Sequence, residues 1–578
     1  MNRIPLPLLR HAREQPRRAA LVTDAGTLTF ARLAALADAT AHRLAREGVG
    51  PGDRVAVCSR QAGVNAVLLH AVARLDGVLC PLDPGQSPAG LATLLATVQP
   101  RAVVWLPEPG PEARVPGASH LVAPGPPSEA DGLDLAPAPA EPAPSRPRQL
   151  PLQPAEPDLH VVPPALEVSL RDAVAIDAPY TMVFTSGTTG GARAAVLTHG
   201  NHLWSALGSA LRLGCLPDDR WLAPLGAHHV AGLAVLLRTA LYGITAQMPD
   251  RFDAGAVGRA LADDDVTIVS LVPTMLHRLL ELWADAPAPP GLRAVLLGGA
   301  PAPRALLERA AAGGWPVALT YGLTEAASQV ATAAPARSLA EPALPPLPFV
   351  RVRVLADCGT DADAADGALG EIAVSGPTVM AGYWSADAAA SRVAAASGSA
   401  VVNRDPDADH GARDQSGGTV AGDLAADGEG TADRGAASGR RAGPDGQRWW
   451  RTGDLGRLDA SGRLTVLGRR DDLVITGGEN VAPHDVEAVL DAHPAVAESC
   501  VVGLTDPEWG QRLVAALVPT PVTGGPSVDP VEVLAFARER LARYQVPREA
   551  VWWSAPLPRT SSGKLLRSEV AAALAAGP

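Results

Sequence analysis

The chain has 578 residues, more than one hydrophobic core usually holds, so two or more domains are expected. A formal net charge of −12 excludes a general nucleic-acid binder, because that function needs a basic face. The five cysteines form neither a disulfide framework nor a Cys-x-x-Cys metal pattern, which favours a reducing compartment. There is no apolar signal-peptide core and no apolar run of the about 20 residues that a membrane-spanning helix needs. We therefore expect a cytoplasmic protein without membrane insertion.

The first half of the chain alternates helix and strand patterns. Residues 29–47 carry apolar side chains at helical spacing, which predicts a helix. Short apolar runs predict buried strands at Arg54–Cys58, Val78–Leu82, 266–272 and 292–297. This alternation favours an α/β architecture with largely parallel sheets.

Two stretches interrupt the alternation. Residues 107–164 are rich in proline, alanine and acidic residues, which predicts an irregular connection. Residues 388–447 have few large apolar side chains and cannot bury enough surface to offset the cost of ordering, so we expect a disordered insertion. We place the domain boundary after residue 468, which gives an N-terminal domain of residues 1–468 and a C-terminal domain of residues 469–578. Strands of the second domain are expected at 473–475, 499–503 and 513–518, and helices at 486–492 and 531–541.

The strongest motif follows an apolar strand. It is a run of small and hydroxyl-bearing residues: Thr185, Ser186, Gly187, Thr188, Thr189 and Gly190. Glycines remove side-chain obstruction and supply unusual backbone angles, so such a loop can wrap phosphate oxygens closely. No Gly-Lys-[Ser/Thr] sequence closes the run, so it is not a Walker A loop. Taken alone, it is also compatible with a surface turn.

Further polar motifs follow along the chain. They are Gly298-Gly299-Ala300-Pro301, Thr320-Tyr321-Gly322-Leu323-Thr324-Glu325, Trp450-Arg451-Thr452-Gly453-Asp454, Gly468-Arg469-Arg470-Asp471-Asp472 and Pro558-Arg559-Thr560-Ser561-Ser562-Gly563-Lys564. A tyrosine offers a flat ring, an aspartate can accept from two hydroxyl groups, and a glutamate suits a hard cation. Read singly, the aspartate could be a turn residue and the lysine a solvated charge.

In this order and spacing, the motifs resemble those of the adenylate-forming superfamily of acyl-CoA synthetases, peptide-synthetase adenylation domains and luciferases. The resemblance implies an α/β fold: a large N-terminal domain of stacked mixed and parallel sheets with helices, and a small mobile α+β C-terminal domain. It also implies that a carboxylic acid reacts with ATP and Mg²⁺ to give an acyl-adenylate. The acyl group then passes to a thiol, with coenzyme A as the co-substrate.

The resemblance assigns a role to each motif. The nucleotide is expected to contact Thr185, Ser186, Gly187, Thr188, Thr189, Gly190, Arg193, Gly299, Ala300, Pro301, Tyr321, Asp454 and Arg469. Catalytic positions of the family fall on Thr324, Glu325 and Lys564, and Glu325 is also the expected Mg²⁺ ligand. One departure is Ala192-Arg193-Ala194, where the family usually has Pro-Lys-Gly. Arg193 keeps the positive charge, but its donors have a different geometry.

In the family the small domain rotates about a hinge between the two half-reactions. Asp471 is expected to be the pivot. Lys564 would reach the carboxylate and the α-phosphate in the first orientation, because these two anions repel until a cation offsets their charge. The loop with Gly477 and Gly478 would face coenzyme A in the second orientation.

Histidines offer candidates for the acyl pocket. His228 and His229 precede Val-Ala-Gly, which resembles the family segment in which a histidine or an aromatic residue gates this pocket. A metal is the alternative for two adjacent histidines, but no third ligand stands at a supporting spacing. We therefore assign His229 to the pocket and count it among the catalytic residues. His202 and Ser328 are further candidates for contact with the substrate.

Three segments resemble in particular the o-succinylbenzoate–CoA ligases of menaquinone biosynthesis. They are 198–206, 269–273 and 320–330, the last with the specific extension Ser328-Gln329. The acid of those enzymes carries an aromatic ring, a ketone and a second carboxylate. Such a ligand needs a polar, partly cationic pocket, whereas a long-chain fatty acid would need only apolar walls.

Two alternatives remain open at this stage. Another aryl- or acyl-CoA synthetase, or a stand-alone adenylation domain feeding a carrier protein, would keep the chemistry and change the acid or the thiol. An assay with free coenzyme A separates these. A catalytically inactive nucleotide-binding or scaffold protein belongs to a different class, and the altered residues around Arg193 motivate it. The retention of Glu325, Asp454, Arg469 and Lys564 argues against it.

Overall fold

The computed structural model describes residues 3–106, 148–149, 169–185, 193–284, 286–338, 342–356, 362–384, 440–442, 448–476, 479–507, 509–520, 528–559 and 565–576. The helices are α1 (Pro7–Glu14), α2 (Phe30–Arg46), α3 (Ala62–Arg74), α4 (Pro88–Val98), α5 (His199–Leu213), α6 (Val230–Tyr242), α7 (Ala254–Asp263), α8 (Pro273–Trp283), α9 (Arg304–Ala312), α10 (Pro483–Leu490), α11 (Pro530–Arg538) and α12 (Arg567–Ala576). Within these described ranges, none of the helices is long and apolar enough to cross a membrane.

The strands are numbered in chain order. They are β1 (Arg3–Pro5), β2 (Ala19–Thr23), β3 (Gly26–Thr29), β4 (Arg54–Cys58), β5 (Val78–Leu82), β6 (Ala102–Trp105), β7 (Arg148–Gln149), β8 (Ala173–Ala175), β9 (Pro179–Thr185), β10 (Arg193–Thr198), β11 (Arg220–Leu222), β12 (Thr245–Gln247), β13 (Ile268–Leu271), β14 (Ala294–Leu297), β15 (Val317–Leu323), β16 (Ser328–Thr332), β17 (Arg351–Leu355), β18 (Gly370–Ser375), β19 (Gly382–Tyr383), β20 (Arg440–Ala442), β21 (Arg448–Leu458), β22 (Leu464–Arg469), β23 (Val474–Thr476), β24 (Glu479–Val481), β25 (Val496–Asp506), β26 (Gly510–Pro519) and β27 (Glu549–Trp552).

Two large mixed sheets form the body of the N-terminal part. One has the order β19-β10-β9-β5-β4-β6-β7 and the other β16-β15-β14-β13-β11-β12-β2-β3. Their inner strands pair in parallel. Antiparallel partners lie at both edges of the eight-stranded sheet and at the β19-β10-β9 edge of the seven-stranded one, whose other edge strand, β7, is parallel to β6. The largest buried cluster includes Val57 of β4, Leu69 of α3 and Ile268 of β13, so the two sheets share one core.

Local sequence explains the elements that were predicted. Thr29 caps α2 by accepting a hydrogen bond from the Arg32 amide at 3.2 Å. The apolar side chains along one face of α2 are buried. Strands β4 and β5 have the predicted bounds, and β13 and β14 lie inside the predicted runs. Because β13 and β14 are buried on both faces, each reads as a continuous apolar run.

A third sheet and a fourth follow toward the C terminus. The third, β17-β18-β21-β20 with β22 on β21, is antiparallel, which the expectation of largely parallel sheets missed. The fourth, β24-β23-β26-β25 with β27 on β26, packs with α10, α11 and α12. The last strand of the third sheet ends at Arg469 and the first of the fourth begins at Val474, on either side of a 3-10 turn at Arg470–Asp472.

Two expectations of irregular structure are wrong in part. Arg440–Ala442, inside the expected insertion, forms β20 and pairs antiparallel with β21. Arg148–Gln149, inside the expected irregular connection, forms β7 and pairs in parallel with β6. In both cases a neighbouring strand offers open backbone groups, so a short segment of unremarkable composition can pair with it. All other residues of both stretches lie outside the described ranges.

A deletion tests the predicted insertion without touching β20. Removing residues 399–438 should leave the melting temperature and the ligase activity close to those of the full chain. Extra loop length costs only logarithmically in closure entropy, about 0.6 kcal/mol for each doubling. Differential scanning calorimetry and a turnover assay measure both quantities. A large fall in melting temperature would mean that this segment packs against the folded domains.

Candidate active site

The first part of the site lies at the carboxyl edge of the eight-stranded sheet. Strands β14 and β15 pair there in parallel, and Gly298 directly follows β14. A Cβ on Gly298 would stand 2.5 Å from Cγ2 of Thr320, and Gly299 has φ +83°. Only glycine fits such a close approach and such a backbone angle. The predicted adenine cradle, Gly299 to Pro301, therefore begins beside the part of β15 that carries Tyr321.

Tyr321, Asp454 and Arg469 form one polar cluster. The Tyr321 hydroxyl donates to Asp454 Oδ2 at 2.5 Å, and Arg469 Nε lies 2.9 Å from Asp454 Oδ1. Strand register explains the second contact, because Asp454 on β21 pairs directly with Arg469 on β22. Arg469 also donates to the Thr452 carbonyl at 3.2 Å. Three predicted nucleotide ligands from three different strands are thus brought together.

The charged groups of this cluster shift one another's pKa. Burial raises the pKa of Tyr321 well above its usual value, and the negative charge of Asp454 raises it further. Burial lowers the pKa of Arg469, but Asp454, Tyr321 and Glu325 outweigh that effect and raise it overall. Arg469 therefore keeps its charge and can balance both Asp454 and an anionic ligand.

Next to this cluster, the turn between β15 and β16 is strained. Thr324–Ala326 form a 3-10 turn, after which Ala327 has φ 53° and Ser328 φ 100°. A Cβ on Gly322 would stand 1.8 Å from the Ser328 carbonyl oxygen, so the two strands approach very closely. Non-glycine residues at such angles cost about 1–3 kcal/mol each and cluster at functional sites. Contact of Ser328 with the substrate stays a prediction.

Glu325 projects from the same turn toward β19 and β10. Its Oε1 accepts from the Tyr383 hydroxyl at 2.5 Å, and its backbone carbonyl accepts from the Met380 amide at 2.8 Å. The Arg193 guanidinium stands 4.3 Å from the centre of the Tyr383 ring, a cation–π contact. The Thr185 hydroxyl donates to the Arg193 carbonyl at 3.4 Å. Tyr383 therefore links two predicted site residues, and sequence reasoning missed it.

The residues present fit a Mg²⁺ ion of the kind bound mainly by phosphates. Glu325 supplies a hard carboxylate and is linked through Tyr383 to Arg193, which follows in sequence the segment expected to hold the phosphates. No cluster of three or more potential metal ligands occurs among the described residues. Mg²⁺ commonly uses one or two carboxylates together with substrate phosphates rather than a dedicated protein cage. Glu325 is the residue that would hold the ion.

The two adjacent histidines lie at the start of α6. His229 precedes the helix, and its buried Nε2 has no hydrogen-bond partner among the residues that the structure describes. The His228 ring centre lies 4.3 Å from that of His229, and His228 Nε2 is 3.6 Å from Asp83 Oδ1. Burial lowers the pKa of His229, so the ring is neutral near pH 7. A buried nitrogen without a partner can accept a hydrogen bond from, or donate one to, a ligand. The place of His229 in the acyl pocket stays a prediction.

His202 lies deeper than a substrate contact requires. It is 6% exposed, its Nε2 lies 2.8 Å from the Thr181 hydroxyl, and its ring stands edge-on to Tyr180. Burial lowers the pKa of His202 to about 3. These contacts tie α5 to β9, so the geometry favours a packing role. Its proposed contact with the substrate stays a prediction.

Arg238 of α6 is a candidate that sequence reasoning missed. It is 2% exposed, and its Nη2 donates to the Ser205 hydroxyl at 3.2 Å. The Ser205 hydroxyl in turn donates to the Ala327 carbonyl at 2.7 Å, one residue before Ser328. The guanidinium also lies over the Trp221 ring, 5.8 Å from its centre. Among the described residues, Nε of Arg238 has no hydrogen-bond partner and no carboxylate forms an ion pair with this guanidinium. A buried cation in that state is costly unless an anion arrives to meet it.

Several predicted site residues lie outside the described ranges. They are Ser186, Gly187, Thr188, Thr189, Gly190, Gly477, Gly478 and Lys564. Asp471 belongs to the 3-10 turn Arg470–Asp472 between the third and fourth sheets. The roles of all these residues remain predictions.

Comparison with known proteins defines the class. The model of the AMP-binding enzyme family matches residues 8–384, and that of the AMP-binding enzyme C-terminal domain matches residues 485–564. The chain therefore belongs to the AMP-binding enzymes, within the adenylate-forming superfamily that its motifs predicted. The expected division into a large α/β domain and a small C-terminal domain is confirmed.

Within this class, relatives of one kind are prominent. The 2-succinylbenzoate–CoA ligase of Geobacillus kaustophilus is 38% identical over 409 residues, covering 70% of this chain and 72% of the relative. That of Bacillus cereus is 37% identical over the same shares. The structure of o-succinylbenzoate CoA synthetase from Bacillus subtilis with the acyl-adenylate OSB-AMP is 30% identical, with a TM-score of 0.75 over 99% of this chain and 98% of that one. Its complex with ATP and magnesium gives a TM-score of 0.71 at 29% identity, over 98% and 99%.

Proposed function

We propose that this protein ligates 2-succinylbenzoate to coenzyme A through an acyl-adenylate, in the cytoplasm, as a step of menaquinone biosynthesis. Support comes from the named relatives, from the Tyr321–Asp454–Arg469 cluster and from the buried guanidinium of Arg238, which Ser205 links to the Ala327 carbonyl. The class of the enzyme is shown by its family, whereas the acid is inferred.

The reaction has two steps that balance without an external oxidant or reductant. In the first, a carboxylate oxygen attacks the α-phosphorus of ATP, an acyl–phosphate bond forms and diphosphate leaves. In the second, the sulfur of coenzyme A attacks the acyl carbon, a thioester forms, the thiol proton is released and AMP leaves. Mg²⁺, when bound at Glu325, offsets phosphate charge in the first step.

The residues of this chain act mainly by binding and positioning. Asp454 carries two acceptor oxygens that ribose hydroxyls can use, and Arg469 holds that carboxylate in place. Tyr321 can lie along the adenine beside the glycine cradle. Holding the reactants in line converts a bimolecular reaction into an effectively unimolecular one, which can supply about 7–11 kcal/mol of the barrier.

The observation on this chain that carries the choice of acid is Arg238. 2-Succinylbenzoate keeps a second carboxylate after its first has been adenylated, and a buried guanidinium without a carboxylate partner is chemically matched to it. Ser205 and the strained backbone at Ser328 connect this guanidinium to the turn that carries Glu325. A fatty acid would leave the same cation unpaired.

A substrate panel tests the proposal. We expect kcat/KM for 2-succinylbenzoate to exceed that for benzoate or octanoate by about tenfold or more, because acids without the second carboxylate leave buried polar groups unpaired. Diphosphate release measures the first step and thioester formation with free coenzyme A measures the second. Equal efficiency with octanoate would overturn the choice of acid and leave the reaction class intact. Diphosphate release without any thioester would instead favour a stand-alone adenylation domain.

A further inference from the structure

Two arginines fasten the residues before Asp471 to the large domain. Arg469 pairs with Asp454 of β21, and Arg470 Nη1 lies 3.3 Å from Glu371 Oε2 of β18. Glu371 is 1% exposed and already pairs with Arg451 at 2.6 Å. Residues up to 470 are thus tied by charge to the antiparallel third sheet.

A second set of contacts centres on Arg567, at the start of α12. Its guanidinium donates to both carboxylate oxygens of Glu487, one of them at 2.7 Å, and to the Val501 carbonyl at 3.1 Å. Glu487 accepts in turn from the Val501 amide at 2.7 Å. Since β25 is the outer strand of its sheet, the pair satisfies backbone groups that no neighbouring strand reaches. These contacts lie within the small domain.

Asp472 joins this second set. Its Oδ2 lies 3.6 Å from Nε of Arg567, and its side chain is 33% exposed. The charge of Asp472 also helps to raise the pKa of Arg469. Its ion pair, however, is with Arg567 of the small domain, whereas Arg470 pairs with Glu371 of the large one. Only Asp471 lies between Arg470, which is paired with the large domain, and Asp472, which is paired with the small one.

We propose that Arg567 is a positioning residue for the two half-reactions, because through Asp472 it fixes the C-terminal limit of the hinge at Asp471. Rotation is then confined to the neighbourhood of one residue, and the small domain moves as one body from Asp472 onward. This inference rests on the proposed two-step ligation and on the predicted hinge.

The same arginine stands close along the chain to the predicted catalytic lysine. Arg567 follows Lys564 after two intervening residues. On the other side of that segment, Arg559 pairs with Glu498 and forms a β-bridge with Leu565. A loosened hinge would therefore let the lysine segment approach the α-phosphate at many angles, and a misplacement of about 1 Å can cost about 10²-fold in rate.

The clamp is the ion pair between Asp472 and Arg567, and Asp472→Asn tests it. This substitution removes the charge that faces Arg567 and leaves the contacts of Glu487 with Arg567 and the Val501 amide intact. We expect the kcat of adenylation to fall about tenfold, KM for ATP to stay within about twofold, and the melting temperature to stay unchanged. Limited proteolysis near residues 470–473 should become faster. Arg512→Gln is the matched control, since it breaks an ion pair with Glu549 at 2.6 Å in the same domain and should change neither readout.

A double variant separates positioning from folding. If both residues act through their mutual contact, Asp472→Asn should add little to the adenylation defect of Arg567→Lys. If Asp472→Asn is cleaved and adenylates at the wild-type rates, the inference is overturned. Arg567 would then only satisfy backbone and carboxylate groups at the outer strand β25. The proteolysis readout does not depend on the acid. An unmodified enzyme that releases no diphosphate with any acid would count against the proposed function, not against the clamp.

Discussion

Arg238→Leu should lower kcat/KM for 2-succinylbenzoate by about 100-fold, because a carboxylate would lose its charged partner in a buried site, a loss of about 3 kcal/mol. The same variant should keep or slightly raise the melting temperature. Leucine replaces a guanidinium that is 2% exposed and lacks a carboxylate partner among the described residues, and removing such a charge is often neutral or stabilising. Steady-state kinetics and calorimetry on one preparation measure both effects.

A matched substrate provides the control for Arg238. 4-Oxo-4-phenylbutanoate has the reacting carboxylate, the ketone and the ring, but lacks the second carboxylate. Its kcat/KM should be poor with the unmodified enzyme and nearly unchanged in Arg238→Leu. Equal losses for both acids would show that the arginine acts on the fold or on Ser205 rather than on the substrate carboxylate.

The sequence predicted those parts of the site that depend on local spacing. Tyr321, Asp454 and Arg469 each belong to a short sequence motif. Tyr321 and Arg469 lie near strand ends and Asp454 lies within β21, and strand pairing brings Asp454 and Arg469 together. Gly298 and Gly299 were predictable for the same reason, since a close backbone approach and a positive φ admit little other than glycine.

Other parts depend on contacts between distant segments. Arg238 lies inside an apolar helical run and looks like an ordinary interruption until α6 packs against Ser205. Tyr383 is 58 residues from its partner Glu325, and Arg470 is 99 residues from Glu371. No local pattern encodes such pairs. Arg238 is the one charged residue in the apolar sequence of α6, and this is the signal that could have drawn attention to it.

His202 was proposed from the sequence as a substrate contact, but its contacts in the structure favour a packing role. A histidine next to a specific motif invites a ligand role, yet this ring bonds to Thr181 and packs against Tyr180 inside the fold. His229 has the same residue type, but within the described part of the chain its Nε2 has no hydrogen-bond partner. Burial and hydrogen-bond satisfaction, which follow from tertiary packing, distinguish the two.

Lys564→Ala should lower the rate of adenylation by about 10²–10³-fold, or about 2.7–4 kcal/mol, as expected for the loss of one preorganised electrostatic group. Carboxylate and polyphosphate repel each other as they approach, and a lysine placed between them offsets that repulsion. If the small domain rotates about Asp471, this lysine serves only the first half-reaction. Pre-formed acyl-adenylate and coenzyme A should therefore give thioester at close to the wild-type rate in the same variant.

Single-turnover measurements of each half-reaction distinguish the possible roles of Lys564. Intact adenylation would reduce it to a surface charge. Equal loss of both steps, with an unchanged melting temperature, would mean that the small domain does not alternate between two orientations. Equal loss with a lowered melting temperature would point to damage to the small domain, and Lys564→Arg then decides, because it keeps the charge and changes the donor geometry. Recovery of stability but not of adenylation in Lys564→Arg would restore the catalytic assignment, since a purely structural charge should be satisfied by either side chain.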